Sequence, residues 1–154
     1  MIQLKKFKNY YCNKMSEYLR KSFYDHYEHP DNVGSLDAPT HKAKDMNSLC
    51  GDISVVNLKV EDNIIKDIKF DGTICGIAKA SGSVMTNLVM GRSLDEVKDL
   101  YQEFEATLNK QTPANRPEFE DLLESCGIQH NKTLYYCTKI CWIGLMKSID
   151  DYIK

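Results

Sequence analysis

The chain has 154 residues, 42% hydrophobic and 27% charged side chains, which is the size and composition of one ordinary globular domain. A formal net charge of -2 excludes the strong field that gathers nucleic acid or an anionic membrane. No segment approaches the ~20 apolar residues of a membrane span and no signal-peptide core is visible, so we expect a cytoplasmic protein without nucleic-acid or membrane partners.

The helical pattern begins only after Met15. Residues 1–15 are basic and aromatic, and we predict that they form a flexible N-terminal extension to a single domain at 16–154. Residues 16–29 leave one helical face apolar and aromatic, and Pro30 closes this first helix.

A long irregular stretch then leads to Cys50. Its Pro, Gly, Asn and Asp residues, scattered over 31–49, have no period and predict a loop. Residues 53–60 and 64–70 alternate apolar and polar side chains on either side of a turn, which predicts a β-hairpin. Cys50 and Asp52 should therefore lie where a loop enters a sheet.

Helical patterns fill the rest of the chain. Residues 75–90 are rich in small side chains but keep apolar helical spacing, which places Cys75 at or just before a helix N-terminus. Ser93 and Glu96 form a capping-box pattern at the start of the next helix, and Pro117 suits the first position of another.

The last predicted helix opens at Cys137. Residues spaced by four line one stripe of it: Cys137, Cys141, Leu145 and Ile149. Cys141 lies one turn inside the helix. We treat it as a candidate accessory ligand, although packing explains a buried cysteine more simply.

The six cysteines should remain thiols in a reducing compartment, which favours metal or sulfur chemistry over a disulfide framework. Cys50, Cys75 and Cys137 each arrive at an element boundary, and Asp52 follows Cys50 by two residues, so both side chains can reach one ion. Three sulfurs and a carboxylate suit tetrahedral zinc or an iron-sulfur cluster. The spacings between these cysteines fit no zinc-finger template. The residue types alone therefore do not decide between zinc and an iron-sulfur cluster.

Four segments carry a resemblance to a known family: DHYEHPDNVG at 25–34, NSLCGD at 47–52, FDGTICGIAKASGSVMT at 70–86 and CTKICWIGL at 137–145. Together they resemble the U-type iron-sulfur cluster assembly proteins of the IscU/NifU N-terminal superfamily. The long interval between the second and third motif cysteines is similar to that of the SufU branch. The resemblance covers about residues 16–150.

The resemblance implies an α+β fold, SufE/NifU-like, with a small antiparallel sheet of about three strands packed against several helices. It implies a zinc bound by Cys50, Asp52, Cys75 and Cys137, with Cys50 accepting sulfur from a SufS-type cysteine desulfurase. Downstream partners would be iron-sulfur assembly factors or apo-proteins. The chain would be at most a sulfurtransferase acting with the desulfurase, not a stand-alone enzyme.

The chain departs from the family pattern beside each of Cys50, Cys75 and Cys137. Ser48 and Ile74 replace a proline and a glycine, and residues 133–136 lack the basic side chains expected before Cys137. Two alternatives remain open. The same residues could hold a [2Fe-2S] or [4Fe-4S] cluster on a scaffold, or a purely structural zinc in an adaptor protein.

Overall fold

The structure is a computed structural model, and it describes residues 22–48, 51–109, 116–126 and 132–150. This part of the chain contains five helices and three strands. In chain order they are α1 (Phe23–Glu28), β1 (His41–Met46), β2 (Ile53–Glu61), β3 (Ile64–Thr73), α2 (Gly76–Val89), α3 (Leu94–Leu108), α4 (Pro117–Cys126) and α5 (Lys132–Asp150).

The three strands form one antiparallel sheet in the order β1-β2-β3. The predicted hairpin is confirmed as β2 and β3, joined by Asp62 and Asn63, which both adopt positive φ angles. Asparagine and aspartate tolerate this left-handed conformation better than most residues, which explains their place in the turn. The predicted α+β class with about three strands is confirmed.

The prediction of a continuous loop over 31–49 was wrong for β1. This strand carries the sequence HKAKDM, in which Ala43 is the only small apolar residue that faces the core. Within the described ranges, β1 lies at the edge of the sheet and pairs only with β2, so its outward side chains can be polar and lysine-rich. An edge strand with one short apolar side chain gives little period-two signal.

The helices cover one face of the sheet, and α5 lies across β1 and β2. Gly144 permits this close approach, because a Cβ atom at that position would lie 3.1 Å from Val56 Cγ2. Lys147 near the end of α5 forms an ion pair with Asp45 of β1. Aromatic side chains fill the space between α3, α4 and α5, where Phe104 stacks on Trp142 with 4.3 Å between ring centroids.

Of the four later helix starts, three are confirmed and one was wrong. Cys75 is the N-cap of α2, Ser93 and Glu96 form the capping box of α3, and Pro117 begins α4. By contrast, α5 begins at Lys132, so Cys137 lies in its second turn. Leu134 and Tyr135 pack against the core, and this contact favours helix before the cysteine.

α1 begins at Phe23, because Ser22 has extended backbone angles and is its N-cap, so the predicted helix over 16–29 is confirmed only for Phe23–Glu28 and its predicted start was wrong; residues 16–21 lie outside the described residues. The predicted extension at 1–15 also lies outside them, and the single-domain assignment at 16–154 stays a prediction. No helix among the described residues combines the length and apolar character needed to cross a membrane.

Candidate metal centre

Asp52 lies at the end of the loop that leads into β2. The Asn47 N–H donates to the Asp52 carbonyl oxygen, and the Gly51 N–H donates to the Asn47 carbonyl oxygen, both at 2.8 Å. Gly51 has φ +74°, a left-handed conformation that glycine adopts without strain. Cys50 itself lies outside the described residues, but these two hydrogen bonds fix the chain on both sides of it.

Cys75 joins β3 to α2. As the N-cap residue it has extended backbone angles, and its Sγ accepts a hydrogen bond of 3.5 Å from the Ala78 N–H. The sulfur thus lies at the positive end of the α2 dipole, which stabilises negative charge. The Tyr27 ring packs against the backbone of Gly76 beside it.

Cys137 is a buried residue of α5 whose neighbours tie this helix to the sheet and to α2. The Ser81 hydroxyl on α2 donates to the Thr138 carbonyl oxygen at 2.7 Å. The Ser54 hydroxyl on β2 donates to the Ile140 carbonyl oxygen at 3.3 Å. The position of Cys137 relative to both elements is therefore set by buried side chains.

Asp52, Cys75 and Cys137 converge. One ligand atom from each lies within 4.8 Å of those of the other two, although the residues are far apart in sequence. Asp52 and Cys137 are buried, and Cys75 is half-buried. The structure thus brings together three of the four predicted ligands, and the fourth, Cys50, is two residues from Asp52.

The donor set fits a metal ion. Among the described residues, no hydrogen-bond partner reaches the buried Asp52 Oδ2 atom. Burying a carboxylate oxygen without a partner is costly, whereas a cation would satisfy it. Two sulfurs and a carboxylate match the ligand types of zinc, and they leave a tetrahedral position for a further thiolate.

Cys141 lies near this group without joining it. Its thiol is fully buried and donates to the Ala78 carbonyl oxygen, with 3.7 Å between the two atoms. Burial, followed by the nearby negative charges of Asp52 and Cys75, raises the pKa of this thiol. Because the thiolate is the form that binds metals, this environment supports a packing role, and the accessory-ligand assignment stays a prediction.

The sequence did not predict a polar cluster that lies beside Cys137. Lys139 of α5 and Glu105 of α3 form an ion pair of 2.8 Å, and this hydrogen bond is the main reason that the pKa of Glu105 is lowered. Burial acts to lower the pKa of Lys139, but Glu105 and Tyr135 raise it overall. The two partners are 34 residues apart, and no local pattern connects them.

The chain is similar to known proteins over most of its length. Residues 18–126 match the model of the NifU-like N-terminal domain family. The chain is 47% identical over 81 residues to the iron-sulfur cluster assembly scaffold protein IscU of Haemophilus influenzae. That match covers 47% of this chain and 60% of the relative, so it spans less than two thirds of the relative's length.

A second relative is matched over more of its length. The zinc-dependent sulfurtransferase SufU of Bacillus subtilis is 27% identical over 131 residues, which cover 84% of this chain and 88% of that protein. The crystal structure of the N-terminal part of a nitrogen-fixing NifU-like protein from Brucella abortus has the same fold. It gives a TM-score of 0.69 at 21% identity and covers 88% of this chain and 94% of that chain.

The family match ends before α5 and does not include Cys137. The proximity of Cys137 to Asp52 and Cys75 is therefore an observation from the structure alone. The match nevertheless extends over well more than half of the chain. The chain belongs to the NifU-like N-terminal domain family, within the superfamily that its cysteine motifs predict.

Proposed function

We propose that this protein acts in iron-sulfur cluster assembly as a zinc-dependent sulfur acceptor, and that Cys50 receives the sulfur from a SufS-type cysteine desulfurase. The observation that carries the proposal is the convergence of Asp52, Cys75 and Cys137 within 4.8 Å, next to the loop of Cys50. The 27% identity to a zinc-dependent sulfurtransferase over most of both chains supports it.

The ligands in this proposal are Cys50, Asp52, Cys75 and Cys137. Bound zinc would supply positive charge that holds the cysteines as thiolates at neutral pH. The protein contributes a buried carboxylate and a helix N-terminus at Cys75, both preformed by the fold. Purely structural zinc sites are dominated by cysteine and histidine, so Asp52 favours a working site over a permanent structural one.

The transfer step is a thiol–disulfide type exchange. The Cys50 thiolate attacks the outer sulfur of the desulfurase persulfide, and a new S–S bond forms on Cys50. The bond between that outer sulfur and the desulfurase cysteine breaks, and its electron pair leaves on the desulfurase thiolate, which can take up a proton. Cys50 becomes a persulfide, and no external oxidant or reductant is needed.

A kinetic experiment tests this role. The substitution Cys50→Ala should abolish the stimulation of a SufS-type desulfurase that the wild-type chain gives with cysteine as substrate. Cys141→Ala is the matched control, because it removes a buried cysteine that lies outside the cluster. Full stimulation by Cys50→Ala would refute the proposal, and equal loss in both variants would indicate a folding defect instead.

A cluster scaffold is the second candidate function. It is favoured by the 47% identity to a scaffold protein over the segment that the two chains share. The same three thiolates and Asp52 would then hold iron and sulfide. Anaerobic reconstitution separates the two functions, since a scaffold should yield a coloured cluster that transfers to an apo-protein.

A further inference from the structure

A group of five side chains connects the end of α3 to the beginning of α5. The Tyr101 hydroxyl donates to Glu105 Oε1 at 2.9 Å, and Lys139 Nζ donates to the same oxygen at 2.8 Å. The Tyr135 hydroxyl donates to Asn109 Oδ1 at 2.8 Å. Lys139 also lies over the Tyr135 ring, with Nζ 5.3 Å from the centroid. We call these five residues the α3–α5 clamp.

The α3–α5 clamp holds the helical turn that carries Cys137. Tyr135 and Lys139 lie two residues before and two residues after the cysteine, and residues four apart share one face of a helix. That face contacts α3, whereas Cys137 projects from the other side of the turn, towards Asp52 and Cys75. The Tyr135–Asn109 and Lys139–Glu105 contacts therefore fix the rotation of this turn about the axis of α5.

Partial burial strengthens the ion pair between Lys139 and Glu105. The Lys139 side chain is only 13% exposed and that of Glu105 is 37% exposed, so their ion pair is better shielded than an ordinary surface pair. The aromatic stack of Phe104 and Trp142 adjoins the ion pair, because Phe104 directly precedes Glu105 and Trp142 follows Lys139 by three residues. Loss of Glu105 would leave Lys139 partly buried without its carboxylate partner.

We propose that Glu105 is a positioning residue for the metal centre: through Lys139 it fixes the turn of α5 that presents the Cys137 sulfur, while Tyr101 on α3 orients the Glu105 carboxylate. This inference rests on the proposed function only in that Cys137 binds the metal. If contacts with α3 already fix the helical turn of Cys137, that turn loses less conformational entropy when the cysteine binds the metal. Metal affinity should therefore depend on residues that do not contact the ion.

The experiment compares two single substitutions on α3 in the full chain. Glu105→Gln removes the negative charge of the clamp and leaves the positive charge of Lys139. Glu103→Gln is the matched control, because Glu103 lies on α3 like Glu105, is similarly exposed and forms its own ion pair of 2.9 Å with Arg116. Zn²⁺ affinity is measured by competition with a chromophoric chelator, and Co²⁺ is used as the spectroscopic probe of thiolate geometry.

We expect Glu105→Gln to weaken Zn²⁺ binding about tenfold, by analogy with residues that orient metal ligands, and to shift the visible bands of bound Co²⁺. Glu103→Gln should leave both properties within about twofold of wild type. Lys139→Arg, which keeps the positive charge, should preserve the wild-type Co²⁺ spectrum. Equal Zn²⁺ affinities and spectra for Glu105→Gln and Glu103→Gln would overturn the proposal.

Hydrogen exchange in the metal-free protein gives an independent readout. Glu105→Gln should increase exchange of the amides at 137–140, and Glu103→Gln should not. If wild type showed no thiolate-to-cobalt absorption, the proposed function would fail by itself. The exchange measurement would then decide whether Glu105 fixes the turn, and unchanged exchange in Glu105→Gln would overturn that too.

Discussion

Asp52 presents one carboxylate oxygen to the interior without a hydrogen-bond partner among the described residues. Its backbone carbonyl, in contrast, accepts from Asn47 and helps to close the loop before β2. We therefore expect the side chain to contribute little to the stability of the metal-free protein and to stabilise the folded state once the proposed cation is bound. Replacing this carboxylate should therefore maintain or raise the stability of the metal-free protein but weaken metal binding.

The substitution Asp52→Asn tests this opposition. The metal-free variant should be at least as stable as wild type, with a gain of up to about 1 kcal/mol, because an uncompensated buried charge is removed. Saturating Zn²⁺ should stabilise the variant less than wild type, since an amide is a poorer ligand. Urea denaturation with and without Zn²⁺ measures both effects.

Asp71→Asn provides the control for Asp52→Asn. Asp71 is an exposed residue of β3 that accepts from the Gly72 N–H, and it lies outside the cluster. Its variant should respond to Zn²⁺ as wild type does. A metal-free Asp52→Asn protein that was less stable than wild type, yet kept the full response to Zn²⁺, would contradict the assignment of Asp52 as a ligand.

Glu105 gives a prediction for acid stability. Chiefly because of the hydrogen bond from Lys139, its pKa in the folded protein is lowered below the ordinary value of 4.5. A lowered folded-state pKa stabilises the protein above the unfolded-state pKa, and that stabilisation is lost as the pH falls through the folded value. The side chain is 37% exposed, so the contribution should not exceed about 1 kcal/mol.

Metal-free Glu105→Gln should therefore lose less stability than wild type when the pH falls from about 6 to about 3. Above about pH 6 the two proteins should differ by a constant amount. Thermal unfolding across this range measures the difference. Parallel curves for wild type and Glu105→Gln down to the lowest pH would show that the ion pair with Lys139 does not stabilise the folded state.

At the scale of elements, α2 contains two glycines whose replacement by alanine should have different effects. A Cβ atom on Gly82 would lie 2.6 Å from Cε2 of Phe70, which is fully buried, and one on Gly76 would lie 2.5 Å from Cε2 of Tyr27. Tyr27 is 46% exposed and can move into solvent, whereas Phe70 cannot.

We expect Gly82→Ala to destabilise the protein by about 1–3 kcal/mol, because the clash with the core exceeds the gain of up to about 1 kcal/mol in helix propensity. Gly76→Ala should change the free energy of unfolding by less than about 1 kcal/mol, since the displaced ring offsets the gain in helix propensity. Urea denaturation of both variants checks the contrast, and equal destabilisation would show that Tyr27 is held as rigidly as Phe70.

The elements that the sequence predicts best are those with local signals. The capping box at Ser93 and the alternation in β2 and β3 act within a few residues, and both are confirmed. β1 was missed because an edge strand needs few apolar side chains. The start of α5 was misplaced because packing of Leu134 and Tyr135, not a local cap, favours helix before Cys137.

At the scale of the whole molecule, the candidate centre joins three elements that are distant in sequence. Asp52 comes from the loop before β2, Cys75 from the N-cap of α2 and Cys137 from α5. These positions could be predicted as ligands because cysteine and aspartate bind metals. Their ligand atoms come within 4.8 Å of one another only in the tertiary fold. The sequence could not reveal the α3–α5 clamp, because its partners meet only through helix packing.

The central claim is that the fold gathers these residues so that Cys50 can accept a sulfur atom. The most direct measurement is mass spectrometry of the Zn²⁺-loaded chain after incubation with a SufS-type cysteine desulfurase and cysteine, with fragmentation to locate added sulfur. We predict that the peptide containing Cys50 gains the mass of one sulfur atom, which a reductant removes. Sulfur on another cysteine, with the Cys50 peptide unmodified, would contradict the account.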